Sequence, residues 1–204
     1  MFNGDAPEPE QIDMSAVAEC AKQHPDGAFA QTLVVNANKT LQNVVVSVTA
    51  GLPEGTYPVP PAAKLDQKGC QYHPHVLAVM KDQPLAISNS DTFLHNVHSL
   101  AQQNPAFNFG QPNVDPGKPV EPMKAAEVFK IKCDVHPWMN AWIHVLDHPF
   151  FSVTGEDGTF TIRGLPPGKY TLTAWHETLG TKTAEVTVEE GKPATTDIAF
   201  DAAK

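Results

Sequence analysis

Long apolar runs are missing from this chain. Its uninterrupted hydrophobic stretches extend only a few residues, whereas a membrane-crossing helix needs about 20. An amphipathic helical pattern is missing too, apart from one or two turns that residues 13–20, Asp-Met-Ser-Ala-Val-Ala-Glu-Cys, would allow. Basic residues are few: 14 Lys and Arg stand against 23 Asp and Glu, a net charge of −9. That argues against nucleic acid, which calls for a basic footprint, and suits plain solubility or a partner with a basic docking face. The first ten residues have neither a charged n-region nor an apolar h-region, so they are not a signal peptide. Any export signal is expected to be absent from this sequence. A phosphate loop is missing as well. Residues 164–169, Gly-Leu-Pro-Pro-Gly-Lys, come nearest, but the glycines are one residue too close and two prolines replace backbone donors. Tyr170 also stands where Ser or Thr would bind magnesium.

Turns and short strands fill the sequence instead. Nineteen prolines and 13 glycines punctuate brief Val/Thr/Ile-rich runs, which points to an all-β protein. At 204 residues the chain has room for two small domains with a substantial core.

One stretch carries chemistry. Cys133, His136 and Met139 fall within seven residues, Cys-Asp-Val-His-Pro-Trp-Met, and His95 lies 38 positions before Cys133. Thiolate and thioether donors combined with imidazoles select copper, as a His2Cys trigonal site with a weak axial Met. Zinc sites draw on Cys, His and carboxylate, not on thioether sulfur. His95 follows an apolar strand, residues 84–91, that runs into a polar turn. The other three donors follow residues 128–132, Val-Phe-Lys-Ile-Lys, which alternate as a half-buried strand does. Pro137 stiffens the ligand loop, because its ring fixes φ and removes a backbone donor. A loop so short and stiff leaves a metal little freedom to change coordination on redox cycling.

These segments resemble the cupredoxins, the amicyanin- and plastocyanin-like blue copper proteins. The resemblance rests on Asn89-Ser-Asp91, on His95-Asn-Val-His98 and on the loop from Cys133 to Met139. Residues 72–76 and 79–85 also read like the first strands of such a domain. The resemblance implies a Greek-key β-sandwich over residues 62–148 with one copper per chain, cycling between Cu(I) and Cu(II). Its implied ligands are His95, Cys133, His136 and Met139, with Asn96 as a supporting neighbour of the first. It further implies a one-electron carrier, not an enzyme, whose partners are redox proteins such as a c-type cytochrome or a periplasmic dehydrogenase. His136 is the expected electron exit, flanked by a small apolar patch at Pro137 and Trp138. Trp138 departs from the amicyanin pattern.

Cys20 and Cys70 remain once Cys133 is given to copper. They form a disulfide, contribute to a second metal site with His24, His73 and His75, or stay free. The second option underlies an alternative function: copper storage, delivery or sensing. His98 alternates away from His95 along an extended strand and is not expected to ligate; neither are His144, His148 and His176. Blue copper and disulfides both fit an oxidising compartment, so a periplasmic or secreted location is expected.

After His148 the pattern changes. Residues 150–162 read as strand, tight turn and strand, with good hairpin chemistry at Glu156-Asp-Gly158. Residues 169–175, 185–188 and 196–200 add further strands. Thr154 to Phe160 and Leu165 to Tyr170 resemble the carboxypeptidase regulatory-like (transthyretin-like) β-sandwich, which implies a structural or adhesive module. Its opening strands are expected either at 32–36 and 42–49, so that the copper domain interrupts a split sandwich, or, in the competing arrangement, those early strands join the copper domain. The expected division is an N-terminal extension (1–30), opening strands (31–61), the copper domain (62–148) and the rest of the second sandwich (149–204). Residues 51–61, rich in proline, read as a connector, and residues 102–123 as a long loop.

Overall fold

The computed structural model describes residues 1–202. It is all-β apart from one six-residue helix, Ala18–Gln23. Two compact units share the chain: residues 10–30 with 58–149 form one, and residues 1–9, 31–57 and those from Phe150 onward form the other.

Within the unit containing residues 58–149, that segment forms two sheets. One has five strands in the order Asn108–Gln111, His95–Ser99, Glu127–Lys132, Asn140–Leu146 and Val76–Met80, the last pair parallel. The other has four, in the order Asp115–Val120, Leu85–Asn89, Ala63–Lys68 and Gln71–His73. Alternation decides what each strand buries. In Glu127–Lys132, Phe129 and Ile131 are buried, and in His95–Ser99 the buried residues are His95, Val97 and Ser99. These join Leu65, Tyr72, Ile87 and Ile143 in a single core.

Residues 102–123, expected as a loop, contain two of these strands. Asn108–Gln111 pairs with His95–Ser99, and Asp115–Val120 pairs with Leu85–Asn89. Prolines hid the second. Pro116 falls at a bulge and Pro119 lies on an edge strand, both places where a missing N–H is tolerated.

Residues 10–30, expected as part of an extension, are integral to this unit. Gln11–Ile12 pairs with Ala28–Phe29, and the short helix turns Cys20 inward to a disulfide with Cys70. Both cysteines are fully buried.

The other unit centres on a four-stranded antiparallel sheet in the order Phe151–Val153, Val45–Ala50, Gly168–His176 and Gly180–Val188. Val45–Ala50 therefore pairs on both sides with strands from the far end of the chain. Tyr57 and Phe150, where the chain leaves this unit and returns, stack edge to face with ring centroids 5.1 Å apart. Phe2–Asn3 runs parallel to Phe200–Asp201. The core includes Phe2, Val46, Val48, Tyr170, Leu172 and Phe200.

Three expected strands are absent here. Residues 32–36 contribute only the bridge Val35 to Leu41. Asn36, Asn38 and Thr40 hydrogen-bond one another across the turn and take up the local polar groups. Residues 159–162 and 196–199 are irregular; Phe160, Ile162 and Ile198 pack on the core without sheet pairing. Gly158 is required at its turn: φ is +68°, and a Cβ there would lie 2.1 Å from Thr40.

Among the described residues, no helix is long and apolar enough to cross a membrane.

Candidate metal centre

His95 opens a strand, and its ring points inward because Val97 and Ser99 share its buried face. Cys133 directly follows the neighbouring strand, Glu127–Lys132. The loop that follows is closed by its own backbone: Cys133 N–H donates to Met139 O at 3.1 Å and Met139 N–H to His136 O at 2.9 Å. Tyr72 ties the two ligand-bearing segments together, its hydroxyl lying 2.6 Å from Asn96 O and 3.1 Å from Lys132 O.

This framework brings three donors to one point. Ligand atoms of His95, Cys133 and His136 all lie within 4.8 Å of one another. The two Nδ1 atoms are 3.0 Å apart, and Cys133 Sγ is 3.9 Å from His136 Nδ1. His95 is 0%, Met139 1%, and Cys133 and His136 each 3% exposed, so the pocket excludes water. Phe93 and Trp138 wall it, with ring centroids 5.1 Å from His95 and 5.4 Å from His136 respectively. Met139 is buried in the same core as Cys133.

The sulfur is prepared as an anion. Burial pushes the Cys133 thiol up. Hydrogen bonds with His136 and His95, and from the Asn96 and His136 amides at 3.4 Å, outweigh that and bring it down to about 6. A buried thiolate facing two imidazoles is a donor set for a soft or borderline metal ion, and the residues present fit one.

Asn96, which follows His95, reaches across to the loop that begins at Cys133. Its amide reaches the sulfur, and its side-chain oxygen accepts the Asp134 N–H at 3.0 Å. His98 points outward and bonds Asp134 at 2.9 Å. Pro137 is exposed, whereas Trp138 is half-buried and donates its indole N–H to Cys70 O at 3.1 Å.

Cys20 and Cys70 are bridged. His24 bonds Gly69 O at 2.7 Å and His75 bonds Asn140 O at 3.2 Å. Among the described residues, no group of three potential ligands includes His24, His73 or His75. The disulfide instead lies beside the candidate metal site, both sulfurs being within 4.8 Å of a ring nitrogen of His136.

Asp91, named in the sequence only as part of the Asn89-Ser-Asp91 segment, meets the first candidate ligand. Its carboxylate is 4% exposed and accepts from His95 Nε2 at 2.7 Å. Burial opposes its charge, but the bonds from His95 and from the Cys70 and Gly69 amides hold it down to about 2. His95 itself is pushed down by burial, and its bonds to Asp91 and Cys133 more than restore it, so it ends above its ordinary value. The available signal was an Asp four residues before a candidate ligand, across a turn.

Comparison with known proteins reaches both parts of the chain. The family model of the carboxypeptidase regulatory-like domain matches residues 137–201. Among solved structures, a reduced amicyanin variant is 18% identical over 50% of this chain and 98% of its own, with a TM-score of 0.37. A purple cupredoxin from Nitrosopumilus maritimus is 20% identical over 41% of this chain and 99% of its own, at 0.33. The copper-containing nitrite reductase of Thermus scotoductus is 20% identical over 48% of this chain, at 0.34; only 25% of that enzyme is spanned. No curated protein matches. Both families that the motifs resemble are met among these matches.

Proposed function

We propose that the protein is a blue copper protein that carries single electrons between redox partners, with one copper held by His95, Cys133, His136 and Met139. The observation that carries this reading is the convergence of two imidazole Nδ1 atoms and one thiolate in a dry pocket. Bound copper would supply a one-electron Cu(I)/Cu(II) couple. The chain's own residues keep the donors in place: backbone bonds close the ligand loop, and Tyr72 pins its base to the His95 strand. Rigid donors need little rearrangement between oxidation states, which suits rapid transfer.

Electrons leave, on this reading, on the His136 side, where Pro137 and the half-buried Trp138 offer a small apolar patch. Such a patch suits the brief, low-area encounters of redox proteins, with a c-type cytochrome or a periplasmic dehydrogenase as the partner. A disulfide and a thiolate metal centre together favour a periplasmic or secreted location. Substrate turnover is not part of this reading.

A second reading, copper storage, delivery or sensing, is favoured by one observation: opening the disulfide would place two thiols within reach of His136. Metal analysis with the cupric spectrum separates the two. The carrier binds one copper per chain, shows intense thiolate-to-copper absorption that Cys133→Ser abolishes, and is reduced reversibly. Two or more coppers per chain, or a tightly held colourless cuprous ion, would overturn it.

A further inference from the structure

Gly69 and Cys70 both adopt left-handed backbone conformations, with φ of +60° and +54°. For cysteine this region is uncommon and persists only where its surroundings enforce it. Here the enforcement is visible: the Cys70 side chain is bridged to Cys20, and its carbonyl accepts the Trp138 indole N–H. Held this way, the two successive amides meet one carboxylate. Gly69 N–H donates to Asp91 Oδ1 and Cys70 N–H to Asp91 Oδ2, each at 3.0 Å. Asp91 N–H is held in turn by Asn89 Oδ1 at 2.9 Å, and Asn89 Nδ2 spans Phe93 O, Gln111 O and Asn113 O at 3.0–3.1 Å. The carboxylate is thus fixed on every side before it meets His95.

A carboxylate can only accept, so the ring nitrogen that faces it, 2.7 Å away, must carry the proton. In the neutral ring the other nitrogen, Nδ1, is then a bare lone pair, and it is this atom that faces His136 Nδ1 at 3.0 Å. We propose that Asp91, seated on the peptide N–H groups of the disulfide-anchored turn Gly69–Cys70, is the positioning residue that fixes the tautomer and aim of His95. In the metal-free protein with His95 neutral, His136 Nδ1–H donates to His95 Nδ1; with metal bound, both lone pairs face the ion. The second half of this statement rests on the proposed copper site, and the first does not.

The test has two readouts. Histidine side-chain 15N–1H NMR of the metal-free protein near pH 8 is expected to show His95 as the Nε2–H tautomer alone. Asp91→Ala should give a mixture of tautomers and weaken cupric affinity about 10- to 100-fold, the usual effect of removing a carboxylate behind a ligating histidine. Asp91→Asn, whose oxygen still accepts from His95, should fall between the two and serves if the alanine variant does not fold. A wild-type His95 protonated at Nδ1, or both variants keeping the wild-type tautomer and affinity, overturns the proposal. Wild-type protein that takes up no copper overturns the proposed function instead, and the tautomer readout then decides the role of Asp91 alone.

Discussion

The indole N–H of Trp138 donates to the carbonyl of Cys70 at 3.1 Å, so a residue of the ligand loop is bonded to a residue of the disulfide. The same Trp138 ring lies 5.4 Å from that of His136. Trp138→Phe keeps a ring beside His136 and removes the bond. A neutral hydrogen bond contributes about 1 kcal/mol net, so this variant is expected to lose about that much stability while binding metal with unchanged stoichiometry. Urea unfolding and metal analysis on the same samples check both parts.

Replacing Cys20 and Cys70 together by Ser removes a cross-link that spans 50 residues. On the chain-entropy view a loop of that length contributes roughly 4 kcal/mol. Denaturant midpoints of the oxidised protein, the double variant and the wild type in reductant report the loss. The last two should agree, and a loss well under 1 kcal/mol would show that the bridge does not constrain the unfolded chain.

His144 gives a pH dependence whose sign is fixed. Burial holds its imidazole down to about 4 from an ordinary 6.5, so the unfolded chain takes up the proton first. Its contribution is complete above about pH 6.5 and is lost as the pH falls towards 4; a shift of this size corresponds to about 3 kcal/mol. Stability of the wild type should therefore drop more steeply between pH 6.5 and 4 than that of His144→Gln. Parallel curves would mean that His144 titrates alike in both states.

Thr154 joins distant parts of the second unit. Its buried hydroxyl donates to Leu41 O at 2.7 Å and accepts Val44 N–H at 3.0 Å. Valine has the same shape but leaves a buried carbonyl and a buried amide without that partner, at a cost of about 1–3 kcal/mol. Thermal unfolding of Thr154→Val is expected to show this loss, with the absorption of the copper-loaded protein unaltered.

What the sequence revealed and concealed follows from the range of each interaction. The four candidate donors could be named directly, because coordination chemistry depends on residue type and three of them share one loop; the structure brings ligand atoms of His95, Cys133 and His136 together. The long alternating strands, Glu127–Lys132 and Gly168–His176, were legible from their period of two. Asp91 was not, because its role depends on a turn fixed by a cysteine bridge, and cysteine spacing alone leaves the pairing open. Asp115–Val120 was masked by Pro116 and Pro119, whose tolerance depends on the strand being an edge. Residues 159–162 and 196–199 alternate convincingly, yet alternation describes a face and not a pairing partner. Residues 32–36 lost their strand to the local hydrogen bonds of Asn36, Asn38 and Thr40.

The strand Val45–Ala50 has a consequence for the way the chain is made. Its partners, Phe151–Val153 and Gly168–His176, emerge from the ribosome only after residues 58–149 have passed. At a synthesis rate of about 5–20 residues per second, that is a wait of roughly 5–20 s. During it the unit around Cys133 has all of its residues and can close, while Val45, Val46 and Val48, buried in the finished protein, stay uncovered. An unpaired apolar strand is a template for other chains. The hazard in biogenesis thus lies in the unit without the candidate metal site, and a chaperone that shields residues 45–50 would raise yield without touching His95, Cys133 or His136.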